Sequence, residues 1–115
     1  MADLPDFLET ATIAFVSMEI AIEPEMKCYG GGLGVLAGDF ARAAADLGLP
    51  MVFITLASRE GYVRQIIDGQ GNQLDASDPW NPADWATPLE PIVEVSIEGR
   101  TVAVRGWLRQ IDGAA

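Results

Sequence analysis

The chain has 115 residues, 50% of them apolar and 21% charged, which suits one domain with a modest core and excludes a compositionally disordered chain. Seventeen acids against seven Lys and Arg give a net charge of −10, leaving no basic stripe for nucleic acid or anionic membrane. Cys28 is the only cysteine and histidine is absent, which excludes an internal disulfide, a Cys/His zinc cluster and the commonest general base.

The opening MADLPDFLET carries acids where a secretory signal carries Lys or Arg. No apolar run is long enough to span a bilayer, so a cytoplasmic location is expected. Asp3 ahead of Leu4-Pro5 predicts one or two helical turns over residues 3–10. Residues 12–17, TIAFVS, follow as a continuous apolar strand of the kind that a parallel sheet covers on both faces. A loop over residues 19–29 then leads into YGGGLGVLAGD, residues 29–39. Gly30, Gly31, Gly32 and Gly34 can present backbone N–H groups where a Cβ would obstruct them, and the next helix adds its unpaired amides and the positive end of its dipole. That pattern fits an anion such as phosphate, and it fits a tight strand-to-helix turn equally well. The acidic surface does not forbid an anion, because a backbone cradle acts at contact range while surface charge is screened within about 10 Å.

Over residues 35–47 the apolar positions Leu36, Phe40, Ala43, Ala44 and Leu47 form one helical stripe, and Asp39, Arg42 and Asp46 line the other side with Arg42 in reach of both acids. Gly48 and Pro50 stop this helix, and residues 51–56, MVFITL, read as a second buried strand. Strand, helix and strand make a βαβ unit with the glycine turn at the carboxyl end of the first strand, where ligands bind in open α/β sheets. Beyond Arg59, YVRQIID and NQLD flank Gly69-Gln70-Gly71, and VEVSIE and TVAVRGWL flank Gly99-Arg100, predicting two β-hairpins. In the second, Val93, Val95 and Ile97 should face a core and Glu94, Ser96 and Glu98 water. Residues 77–91 carry four prolines with Trp80 and Trp85 and read as an ordered loop over two buried indoles. The chain closes on IDGAA directly after a strand, without a capping helix, which reads as an incomplete domain.

Other candidates are bland. Asp75 with Asp78, or Glu94 with Glu98, supply the two carboxyls of glycosidase chemistry, but Asp78 suits a cap for the turn at Pro79 and the glutamates suit a wet strand face. Cys28 adjoins a helix amino terminus that would lower its thiol pKa, yet it has no histidine to activate it, and Lys27 reads as a solvated charge.

Four stretches together resemble the α-glucan phosphorylases, the glycogen, starch and maltodextrin phosphorylase family. They are FVSMEI (residues 15–20), YGGGLGVLAGD (29–39), ADLGLPMV (45–52) and REGYVRQIID (59–68), followed by the weaker VEVSIEGRTVAVRGW. The resemblance implies an α/β fold, a partial Rossmann-like N-terminal domain of a GT-B glycosyltransferase with β-hairpin additions. Residues 1–115 would then form an incomplete first domain without the C-terminal cofactor domain. It implies a full-length enzyme that uses inorganic phosphate to release glucose 1-phosphate from an α-1,4-glucan, with pyridoxal phosphate on a lysine that this chain lacks. It assigns phosphate and sugar contacts to Gly31, Gly32, Leu33 and Gly34, and places Glu19 on the same cleft. Gly30 departs from the family's usual Ser or Asn, Ala57-Ser58 from a bulkier pair, and Val63 from Phe.

On this reading the chain alone is expected to be inactive and to self-associate through exposed sheet. The alternatives are the corresponding domain of a glycogen or starch synthase, which usually has Lys-Thr or Lys-Val before GGLG where Tyr29-Gly30 stand here, and a noncatalytic module that binds phosphate or a phosphosugar.

Overall fold

The computed structural model describes residues 10–113, in two units, residues 10–80 with 111–113 and residues 81–110. The helix expected over residues 3–10 lies outside the described residues except for Thr10, which is helical. In the first unit the apolar run forms β1 (Ile13–Val16), parallel to β2 (Met51–Ile54) with Ile13 opposite Met51 and Phe15 opposite Phe53. The pairing is extended by Ile13 N–H to the Pro50 carbonyl at 2.9 Å and Ser17 N–H to the Ile54 carbonyl at 3.0 Å. Parallel neighbours need a crossover, and α1 (Gly32–Asp46) supplies it, so the βαβ unit is present with strands slightly shorter than expected. Phe15 joins the layers, its ring centroid 5.3 Å from Phe53 and 5.8 Å from Phe40 of α1, the latter edge to face.

The helix ends as its sequence dictates. Gly48 takes φ +63, its N–H bonds the Ala45 carbonyl at 3.0 Å, and Leu49 N–H bonds the Ala44 carbonyl at 2.9 Å, a Schellman close followed by Pro50. Its start and its buried face differ from expectation. α1 begins at Gly32, three residues before Val35, so two of the clustered glycines lie in its first turn. Its buried residues are Gly34, Ala37, Gly38, Ala41 and Ala44, whereas Leu36, Phe40 and Leu47 of the expected stripe are 52, 48 and 61% exposed. The reason is the partner: the helix packs its smallest side chains against the loop of residues 19–29, close enough that a Cβ on Gly38 would lie 1.9 Å from the Ala21 carbonyl oxygen. The buried apolar set of this unit is therefore Ile20, Ile22, Met26 and Cys28 from the loop with Ala37, Ala41 and Ala44 from the helix. Arg42, read as a partner for Asp39 and Asp46, reaches off the helix to donate to the Ile22 carbonyl and approach Glu23 at 3.6 Å.

The first hairpin pairs β3 (Val63–Ile67) with β4 (Gln73–Ser77). Its turn is tied by the Asp68 carboxylate, which accepts from the backbone N–H of Gln70 at 2.9 Å and of Asn72 at 2.8 Å, and these bonds hold the carboxyl below its usual pKa. One bond beyond β3 and β4, Asp78 N–H donates to the Tyr62 carbonyl at 3.2 Å. Trp80 is half-buried and donates its indole N–H to the Ser58 carbonyl at 2.7 Å.

In the second unit a single 3-10 turn (Pro82–Asp84), capped by the Asn81 side chain, precedes the antiparallel pair β5 (Thr87–Ile97) and β6 (Arg100–Leu108). The strand thus starts inside the stretch read as loop, and a register shift between Pro88 and Ile92 accommodates prolines that cannot donate to a ladder. The turn is Glu98-Gly99, with φ 49 and 75, one residue earlier than expected; this primed turn matches strand twist and moves Glu98 off the strand. The expected division of β5 into a dry and a wet face is overturned. Val93, Val95 and Ile97 are 56, 40 and 50% exposed, because within its own unit the two-stranded ribbon has no second layer to cover them. Trp85 is half-buried, with the Arg109 guanidinium 5.7 Å from its ring centroid and donating to its carbonyl at 3.1 Å.

Candidate functional site

The candidate site forms where β1 runs out. Ser17 Oγ donates to the Glu19 carbonyl at 2.8 Å, bending the chain away from the sheet. The loop is then closed by Ile20 N–H to the Cys28 carbonyl at 3.3 Å and by the Cys28 thiol to the Ile20 carbonyl at 3.2 Å. This closure returns the chain to the start of α1. The Glu19 carboxylate accepts the Gly30 N–H at 3.1 Å on one oxygen and the Tyr62 hydroxyl at 3.2 Å on the other. Glu19 and the glycine cluster, singled out separately in the sequence, are thus directly bonded.

The glycines divide by what surrounds them. Gly34 is required by packing, since a Cβ there would lie 2.4 Å from the Tyr29 Cβ, and its carbonyl accepts the Ala21 N–H at 2.9 Å. Around Gly31 and Gly32 a Cβ would meet nothing within 4 Å. Gly31 is the extended N-cap of α1, no side chain caps it among the described residues, and the first turn holds no acid. The first bond into the helix is Val35 N–H to the Gly31 carbonyl at 3.2 Å, so the preceding amides open the helix with its dipole behind them. Leu33 is 55% exposed on the same turn. Such an end can accept an anion through backbone donors without a cationic side chain.

Three side chains beside the loop have environments the sequence did not disclose. Tyr62 is half-buried, and burial together with the neighbouring Glu19 charge pushes its phenol above its usual pKa. Lys27, read as solvated, lies 3.5 Å from Asp78, which was read as a cap for Pro79. Pro24, Lys27, Tyr29, Gly30, Tyr62, Val63 and Asp78 line an open pocket of about 230 Å3. The expected lowering of the Cys28 pKa is corrected: the thiol is 2% exposed and burial pushes it up, which makes it a packing residue. Of the carboxylates weighed for glycosidase chemistry, Asp75 accepts from the Gln73 amide at 3.0 Å and Asp78 pairs with Lys27. No cluster of three or more metal-ligating side chains occurs among the described residues, and no helix there is long and apolar enough to cross a membrane.

Over 104 residues the chain is 36% identical to the maltodextrin phosphorylase of Thermococcus litoralis, a match covering 83% of this chain and 12% of that protein. It is 33% identical over 107 residues to the glycogen phosphorylase of Mycobacterium tuberculosis, covering 86% of this chain and 12% of that one. A third relative, the glycogen phosphorylase of Aquifex aeolicus, is 41% identical over 66 residues, covering 56% and 10%. This chain belongs to the α-glucan phosphorylase family. It spans about an eighth or less of the length of these three phosphorylases, the largest share being 12%. No family model and no solved structure matches it. On the fold, the four stretches that resemble the phosphorylases fall on the end of β1 and its loop, on α1, on the step into β2 and on β3, so they contain Glu19, Gly30 and Tyr62.

Proposed function

We propose that this chain is the opening part of the first of two Rossmann-like domains of a GT-B α-glucan phosphorylase. In that enzyme the terminal glucosyl unit of an α-1,4-glucan passes to inorganic phosphate as glucose 1-phosphate, and the shortened glucan is the leaving group. Gly31, Gly32, Leu33 and Gly34 contribute backbone N–H groups to the phosphate or glucosyl phosphate, and Glu19 lines the same cleft. The observation that carries this reading is the open space around Gly31 and Gly32 at the uncapped start of α1, inside the stretch shared in sequence with the phosphorylases. Gly34 serves a second purpose, letting the helix start close to Tyr29 so that the first turn is held rigidly.

Backbone donors aimed at a fixed point need no reorganisation as charge shifts onto phosphate oxygens, which is what a phosphorolytic site requires of this side. The resemblance also implies pyridoxal phosphate. Covalent attachment of that group takes a lysine, and Lys27, the one lysine of the sequence, is engaged with Asp78 at 3.5 Å. The residues of this chain therefore do not fit the cofactor. The glucan and the cofactor belong to the longer enzyme, and the chain by itself is inactive.

Amide spectra of the 115-residue chain test the loop directly. Titration with phosphate and with glucose 1-phosphate is expected to move the signals of Gly31, Gly32, Leu33 and Gly34 saturably at millimolar ligand, and a flat response overturns the assignment. Incubation with maltodextrin, phosphate and pyridoxal phosphate should release no glucose 1-phosphate above a blank.

A further inference from the structure

We propose that Tyr62 is a positioning residue for the glycine loop, acting through the Glu19 carboxylate from the mouth of the β3–β4 hairpin. The inference deepens the phosphate-site reading and rests on it for its functional meaning.

The geometry is a bridge. Glu19 uses both oxygens, taking the Gly30 N–H at 3.1 Å and the Tyr62 hydroxyl at 3.2 Å, so the loop and the hairpin are joined through a single side chain. The Tyr62 ring also lies over the loop, since a Cβ on Gly30 would meet its Cε1 at 3.3 Å. The position of Tyr62 is itself fixed, because its carbonyl accepts the Asp78 N–H at 3.2 Å, and Asp78 returns to the same loop through Lys27 at 3.5 Å. Hairpin and loop thus meet at two paired side-chain contacts, Tyr62 with Glu19 and Asp78 with Lys27, around the pocket they line.

The chemistry gives this arrangement a purpose. Glu19 is an anion adjoining a loop assigned to phosphate, and a freely rotating carboxylate there would repel the ligand and leave Gly30 loose. Donors on both oxygens hold the charge turned toward Gly30 and Tyr62, and charge-assisted hydrogen bonds to a carboxylate are stronger than neutral ones. Without the phenol hydroxyl one oxygen loses its donor and the carboxylate is free to swing about its side-chain torsions. Gly30 follows, and Gly31 and Gly32 with it. Tyr62 touches no reacting atom on this account; it sets where the loop amides point.

The test is a double-mutant cycle on the full chain, read without ligand as hydrogen exchange and chemical shift of the Gly30 amide, with Tyr62→Phe, Glu19→Ala and the double variant. Tyr62→Phe is expected to speed Gly30 exchange about tenfold, the loss of roughly one net hydrogen bond, while the amides of Ala37, Ala41 and Ala44 keep their shifts and report an intact fold. In the Glu19→Ala background the same change should add nothing, because the route through Glu19 is already gone. An unchanged Gly30 amide in Tyr62→Phe, or equal effects in both backgrounds, overturns the proposal. Should Glu19→Ala disturb the core amides, Glu19→Gln replaces it, and the phenol of Tyr62 must then titrate nearer its ordinary value than in the parent; failure to do so counts against the bridge. Phosphate titration of Tyr62→Phe follows as a separate arm and is expected to show several-fold weaker response at Gly31 and Gly32. A parent chain that ignores phosphate overturns the functional reading, whereas the Gly30 cycle alone decides the bridge.

Discussion

The α1–loop packing in the first unit and the β5–β6 ribbon in the second use opposite means to hold a shape. In the former, glycines and alanines bring backbone against backbone, with Gly34 and Gly38 leaving no room for a methyl group and small alanines almost fully buried. In the latter, eleven residues of β5 include valines and isoleucines at alternating positions, and every one of them is exposed. On α1 and β5, then, large apolar side chains do not mark what is buried, and on the helix small ones do. Close packing needs contact rather than bulk, and residues without branches let a helix approach a loop closely enough for its backbone to contribute.

The sharpest way to break that comparison is a methyl group at Gly38. Gly38→Ala puts a Cβ 1.9 Å from the Ala21 carbonyl oxygen, backbone that cannot swing aside as a side-chain end would. Urea unfolding followed by far-ultraviolet circular dichroism should show a loss of about 3 kcal/mol, at the upper end of ordinary overpacking. Gly31→Ala, in the same cluster but with nothing within 4 Å, should stay within about 0.5 kcal/mol. Equal losses at the two positions would show that the glycines serve a common turn and that packing does not separate them.

This contrast also shows what was legible in the sequence. Strand, glycine turn, helix and strand were readable because continuous apolar runs and a Gly-x-Pro stop leave few alternatives, and the helix C-terminus formed at Gly48 for the reason anticipated. The link between Glu19 and the glycines was only half legible: sequence named both, but a contact spanning eleven residues and completed by Tyr62 forty-three residues away depends on the fold. The buried face of α1 was misread because Leu36 and Phe40 weigh more than Gly38 and Ala41 in any hydrophobic pattern, while the loop that covers the helix has no periodicity to announce itself. Val93, Val95 and Ile97 failed for the complementary reason, since alternation says that a strand can have a dry face and not that a layer exists to make it dry.

A medium-sized effect lies at Cys28, on the loop side of the same contact. Burial raises its thiol above the ordinary value of 9.0, so the folded chain holds this proton more tightly than the unfolded chain does. Stability from this group is complete below pH 9.0 and is lost as pH rises through the folded-state value, with a limiting slope of about 1.4 kcal/mol per pH unit for a single proton. Cys28→Ala should flatten that part of the alkaline limb in melts taken at successive pH values, while the limb belonging to Tyr62, whose ordinary value is 10.0, persists. An alkaline limb of the same steepness in Cys28→Ala would mean that the thiol is not held by the packing that buries it.

The smallest effect is expected where hydrophobicity alone would forecast a large one. Val95 stands opposite Val102 on β6 and is 40% exposed, so Val95→Thr exchanges one β-branched side chain for another on a surface that is already wet. Strand propensity is nearly unchanged, and no buried cavity or unsatisfied hydroxyl is created, because the new oxygen can reach water. Denaturation should therefore shift by less than about 0.5 kcal/mol. A loss above roughly 1 kcal/mol would require that this strand face be covered in solution, as association of two chains would do. Repeating the melt over a range of protein concentrations separates the cases, since stability borrowed from a second chain rises with concentration and stability within one chain does not.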